Sequence, residues 1–230
     1  MKKLVNSKSL ASTLDTLNEA FFERRILPRN QRERAAKWIA GRQGLPGAYA
    51  WMFAPTSHDF ENGIRVFTGE KIHTRAAIAH ILGEEACRAL ILLDVSLPVV
   101  HEALDRASAG ICALLPESNI ARQGLYCCVM CTCSLWRHIA AGGFEKENPE
   151  RILAAGMRRL KLHRDGNGRW KRFPFYYTLL ALSDIYLPAA VTELRYALPA
   201  CERYLRRSLK NDMFLQRRKL LIERVLERYG

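Results

Sequence analysis

The sequence predicts an all-α protein, and three observations predict it. Apolar residues recur at three- and four-residue steps along most of the chain, which is the spacing of one face of a helix. Proline and glycine punctuate these stretches at regular intervals. No set of alternating runs is long enough to build a sheet. At 230 residues, 49% apolar and 26% charged, the chain can bury a sizeable core without disulfides or metal and is neither disordered nor fibrous. The expected architecture is a single domain of antiparallel helical hairpins, about nine helices, arranged as an α/α toroid-like or solenoid arc.

Leu10, Leu14, Leu17, Phe21 and Phe22 form the stripe of a first helix, which Pro28 ends or restarts. A second runs from about Gln31 to Arg42 with Ala35, Trp38 and Ile39 inward, and Gly44, Pro46 and Gly47 break it. Ala48 to Gly69 is aromatic-rich and irregular, with Tyr49, Trp51, Phe53, Phe60 and Phe67. It reads as mostly loop, with a short hairpin turn available at Asn62-Gly63. Ile72 to Leu93 is helical with an interruption near Gly83. Pro98 opens a helix to about Leu115, and Pro116 to Asn119 is a turn. Gln123 to Ala141 reads as one strongly apolar helix stopped by Gly142-Gly143. Asn148 and Pro149 supply a cap and a first-turn proline for a helix through Leu162. After the loop Asp165-Gly166-Asn167-Gly168, the pattern gives helices at Pro174–Ile185, Pro188–Tyr196, Pro199–Leu209 and Met213–Arg228.

Three segments look alike, over residues 31–96, 97–143 and 148–198. Gln43, Gly47 and Trp51 precede a helix carrying Thr74, and Asp165, Gly166, Gly168 and Trp170 precede one carrying Thr178 and Ala181. Arg122 to Trp136 is a weaker copy with Thr132. The threonines are 58 and 46 residues apart, the length of a helical hairpin and its loop. This pattern resembles the repeat of the terpenoid cyclase and protein prenyltransferase superfamily. The resemblance implies inner and outer helices around a common hollow, and a ligand in the concave face. No Asp-x-Asp-Asp motif occurs, so the chemistry of the protonating cyclases does not carry over. The prenyltransferases' zinc ligands, one each of Asp, Cys and His, find no established counterparts here.

Thirty-six Lys and Arg against 23 Asp and Glu give a net charge of +13. That favours anionic partners without specifying one. The surplus gathers at residues 24–42 and in the basic helices of residues 199–230, where an acidic protein or nucleic acid would dock. The longest uncharged apolar stretch, Gly124 to Trp136, has 13 residues, too few to span a bilayer. The N-terminus lacks the apolar segment of a secretory signal. Seven cysteines, an odd number, fit free thiols in a reducing compartment, so a cytoplasmic location is expected.

Three candidate sites follow. If inner helix ends line a cavity, Arg75, His163, Asp165, Trp170, Tyr176 and Tyr177 would face an apolar or partly anionic small ligand, or a partner helix. The plainer reading makes the tryptophans core residues and His163 with Asp165 a solvated loop pair. The second candidate is the sulfur cluster: Cys128 and Cys131 have Cys-x-x-Cys spacing, with Cys127, Cys133 and His138 nearby. These make a candidate metal set or the centre of a thiol- or metal-dependent enzyme, against the plain reading of small buried hydrophobes. The third is the basic C-terminal surface. Neither a Gly-x-Ser-x-Gly elbow nor a phosphate loop is present. Enzyme status, cofactor and self-association stay open.

Overall fold

Ser9 starts the first helix. Its hydroxyl accepts the Ser12 N–H at 2.9 Å, and the buried Asp59 carboxylate takes the Ser9 hydroxyl at 2.6 Å and the Leu10 N–H at 2.9 Å. The computed structural model describes residues 3–115, 119–206 and 212–230. Among these are eleven α-helices: α1 (Leu10–Phe22), α2 (Arg29–Ala40), α3 (Ser57–Asn62), α4 (Arg75–Leu93), α5 (Pro98–Cys112), α6 (Asn119–Gln123), α7 (Val129–Ala140), α8 (Pro149–Lys161), α9 (Phe175–Asp184), α10 (Pro188–Leu205) and α11 (Met213–Tyr229). The all-α expectation holds. A small antiparallel pair, β1 (Ile64–Arg65) and β2 (Lys71–Ile72), pairs Ile64 with Ile72. The hairpin turn lies between these strands, not at Asn62-Gly63. None of the described helices is long and apolar enough to cross a membrane.

Three helix boundaries differ from the sequence reading. α4 runs unbroken through Gly83, because Gly83 is a contact point: a Cβ there would lie 2.8 Å from Met52 Cε. α10 continues through Pro199, where two helices were expected. The buried face of Glu193, Leu194, Ala197, Ala200 and Cys201 runs along both sides of the proline, and that packing outweighs the lost hydrogen bond. The single helix expected over residues 123–141 is α6 and α7 with a non-helical stretch through Cys128 between them. The turn expected at Pro116–Asn119 and the end of the Pro199–Leu209 helix fall on residues 116–118 and 207–211, outside the described residues.

The buried helices α4, α7 and α9 run in the same direction. His80 faces Cys127 and Glu85 faces Arg137 between α4 and the α7 region. Cys133 faces Thr178 and Arg137 faces Asp184 between α7 and α9. α1 packs on α4 and α11 on α9. Arg217 of α11 returns to α1, donating to Asp15 at 2.7 Å and to Glu19 at 3.1 Å. α2 and α5 cover α4 from outside, and α8 and α10 pack along α7 and α9.

A polar network fills the space these helices share. Arg137 donates to Glu85 at 2.5 Å and to Asp184 at 2.9 Å. Arg88 donates to Asn18 at 2.7 Å and to Asp184 at 3.2 Å. The Tyr177 hydroxyl donates to Glu85 at 2.7 Å. Two guanidiniums thus balance two carboxylates. Burial alone would push the Glu85 carboxyl up, but Arg137, Arg88, Tyr177 and Asn18 bring it below its ordinary value. Next to Tyr177 and Glu85 the remaining space is about 20 Å³, room for one water-sized molecule. Arg137, Arg88, Glu85 and Tyr177 are buried between these helices.

Candidate metal centre

The site is made by the break between α6 and α7. Gly124 has φ +63, and a Cβ there would lie 2.2 Å from the Ile152 carbonyl oxygen and 2.3 Å from the Gly156 nitrogen. Only glycine lets this strand of chain lie flat against α8. The Trp136 indole donates to the Gly124 carbonyl at 2.7 Å, and the Thr132 hydroxyl takes the Tyr126 N–H at 2.9 Å. These bonds hold residues 124–128 in a non-helical path, and Cys128, with extended backbone, becomes the N-cap of α7. Its sulfur accepts the Cys131 N–H at 3.4 Å.

Cys127 and Cys131 thereby converge on His80, one turn into α4, and the Cys128 sulfur lies against that of Cys131. The His80 Nδ1 lies 2.9 Å from the Cys127 Sγ, and the Cys128 and Cys131 sulfurs are 3.3 Å apart. The donor atoms of His80, Cys127 and Cys131 all lie within 4.8 Å of one another. His80 is clamped between aromatic rings, with its centroid 3.8 Å from that of Tyr49 and 5.1 Å from that of Tyr126. Cys127 and Cys128 are exposed, whereas Cys131 and His80 are buried.

The three sulfurs perturb one another in opposite directions. Hydrogen bonds from Cys127 and Cys131, aided by the first N–H groups of α7, hold the Cys128 thiol far below its usual range. The same bonds, read from the other side, push Cys127 up to about 11 and Cys131 higher still. Burial lowers His80, partly opposed by Cys128, which favours the neutral imidazole that a metal needs. Three sulfurs and one imidazole nitrogen are the donor set of a structural zinc site. Around a tetrahedral zinc such donors stand roughly 3.5–3.8 Å apart, so the two closest pairs, at 2.9 and 3.3 Å, would spread and the wider contacts, up to 4.8 Å, would close.

Two of the sequence candidates, Cys128 and Cys131, belong to this cluster. His138 does not: its Nδ1 lies 2.6 Å from Glu84 Oε2, fully buried, about 10 Å further along α7 than Cys131. Cys133 turns inward to Thr178. Sequence reasoning missed His80 as a ligand, since it stands alone 47 residues before Cys127. Its only signal was a lone histidine among the apolar residues of the first turns of α4.

The structure brings His163, Asp165 and Trp170 together in the loop ahead of α9, in structural roles. Asp165 accepts the N–H groups of Asn167 and Arg169 at 2.7 and 3.0 Å. Trp170 is buried and donates to Glu193 at 2.8 Å, and His163 packs on Phe173. Tyr177 lies in the central network. Tyr176 faces Tyr204 and the Arg218 guanidinium, and Arg75 stacks over Phe60 at the start of α4. Trp51 and Trp170 have different surroundings, with exposures of 68% and 3%. The loops still share one feature: an isolated antiparallel bridge pinches each, Gln43 with Phe53 and Arg164 with Trp170. In the first loop the bridge partner is the buried Phe53, not Trp51.

On α11, Arg217 is bound by Asp15 and Glu19, Arg218 by the Thr68 carbonyl and Arg224 by the Phe22 carbonyl. Much of the basic charge at this end is engaged within the chain. In comparisons with known proteins, no family model, no curated protein and no solved structure matches the chain.

Proposed function

We propose that this protein binds a zinc-type divalent metal ion through His80, Cys127, Cys128 and Cys131. The observation that carries the reading is the convergence of three donors, from two segments 47 residues apart, within 4.8 Å. Buried cysteines serving only as small hydrophobes have no need to meet a histidine. Four protein donors make a closed site, so the metal staples the N-terminal end of α7 and its preceding loop to α4. Zinc suits the mixture of thiolate and imidazole better than hard cations such as magnesium or calcium do.

The reading also takes α1, α4, α7, α9 and α11 as the inner helices of an α/α toroid-like fold. The common direction of α4, α7 and α9 and the Arg217 link back to α1 support this. The metal then sits at one end of that ring, whose centre is occupied by the Arg137–Glu85 network. Elemental analysis of the full chain purified under reducing conditions tests the proposal. One zinc per chain is expected, lost in Cys131→Ala and in His80→Ala. Well below one metal per chain after zinc loading and desalting overturns it.

A further inference from the structure

We infer that Cys128 and Cys131 form a dithiol/disulfide couple that exchanges with low-molecular-weight disulfides and, in the metal-loaded protein, releases the metal as it oxidises. The exchange rests on the sulfur geometry alone, and the release rests additionally on the metal reading above. The two sulfurs are 3.3 Å apart, and a disulfide needs about 2.05 Å, so closing the bond asks for little more than about 1 Å of side-chain rotation. Residues three apart across one helical turn have Cα atoms about 5 Å apart, inside the usual disulfide range. The neighbouring pair Cys127 and Cys128 fits poorly. Consecutive Cα atoms are about 3.8 Å apart, below that range.

Exposure gives the couple a direction. Cys128 is exposed and Cys131 is buried beneath it, so an incoming disulfide meets Cys128 first. The Cys128 thiolate attacks one sulfur of RS–SR, forming Cys128–S–SR and expelling RS⁻. Cys131 then gives up its proton to a leaving thiolate and attacks the Cys128 sulfur. A Cys128–Cys131 bond forms and the second RS⁻ departs. Two cysteine thiols lose two electrons, and the external disulfide gains them as two thiols. The metal keeps its oxidation state but loses two of its four donors, leaving only His80 and Cys127, too few to hold it.

The test uses the full chain with oxidised glutathione, in zinc-free and zinc-loaded forms. Thiol alkylation and peptide mapping identify the product, and a chromogenic chelator reports freed zinc. The expected product is a Cys128–Cys131 disulfide, with one zinc released per disulfide formed and both changes reversed by dithiothreitol. Cys131→Ser should trap glutathione on Cys128, while Cys128→Ser should slow glutathione capture at this cluster at least tenfold. Thermal melts verify that both variants fold, and wild-type mapping decides the matter if either does not. A principal product at Cys127, or no disulfide while the thiols remain alkylatable, overturns the inference. A chain that exchanges but never binds zinc removes only the metal reading. A chain that keeps its zinc with the 128–131 bond formed overturns the release.

Discussion

The imidazole Nδ1 of His80 lies 2.9 Å from the Cys127 sulfur, joining α4 to a loop that no local pattern links to it. His80 cannot turn away readily, because Tyr126 stacks on its ring and Tyr49 packs against it at a tilt. This preorganisation is what distinguishes a ligand from a histidine that merely fills space.

The first prediction concerns metal and stability. Ligand at a hundred times its Kd stabilises the folded state by about 2.7 kcal/mol. For a chain of this size that corresponds to a rise in Tm of about 5–10 °C. Differential scanning calorimetry with and without zinc should show it, and a chelator should reverse it. His80→Ala should weaken zinc binding by more than the roughly 10–100-fold typical of losing an outer-shell partner.

Gly124→Ala should damage both fold and site. Its positive φ disfavours any L side chain, and the added methyl would meet Ile152 and Gly156 backbone atoms at 2.2–2.3 Å. A loss of at least about 1 kcal/mol by denaturant titration is expected, together with weaker zinc binding, because the loop positions Cys127 and Cys128.

Arg137→Met should cost about 3–5 kcal/mol, since it leaves the buried Glu85 and the half-buried Asp184 with too little positive charge. Chemical denaturation measures this. A loss below about 1 kcal/mol would mean that the network contributes little to stability.

The same network sets an acid limit. The folded Glu85 pKa is lowered, so its contribution is complete above the unfolded value, about 4.3. It is lost as pH falls through the folded value. Unfolding free energy measured from pH 7 to pH 3 should decline below about pH 4.5, and less steeply in Glu85→Gln, which starts less stable.

The two loop tryptophans should differ. Trp170→Ala empties a buried, hydrogen-bonded position and should cost about 3–5 kcal/mol, whereas Trp51→Ala should change stability by less than about 0.5 kcal/mol. Acrylamide quenching of single-tryptophan variants checks the exposure directly.

The helical class and the order of helices were legible because the 3.6-residue spacing is a local property. The break at Gly124 was not, since residues 124–136 are apolar throughout and the break comes from close approach to α8. α10 passes Pro199 for the converse reason, tertiary packing overriding a local stop signal. Cys128 and Cys131 were legible from their spacing. His138 was drawn in by proximity along the chain, and the partner that meets the sulfurs, His80, comes from a distant segment. Likewise Trp51 looked equivalent to Trp170 by letter, while the bridge partner in its loop is Phe53.

Arg217 and Asp15 are separated by 202 positions. During synthesis the first helix therefore emerges about 200 positions before Arg217, with Arg25 the nearby cation for Glu19. Docking of α11 on α1 is a late event of high contact order. A ribosome-bound chain halted before Arg217 should stay measurably more sensitive to protease than one extended past Tyr229.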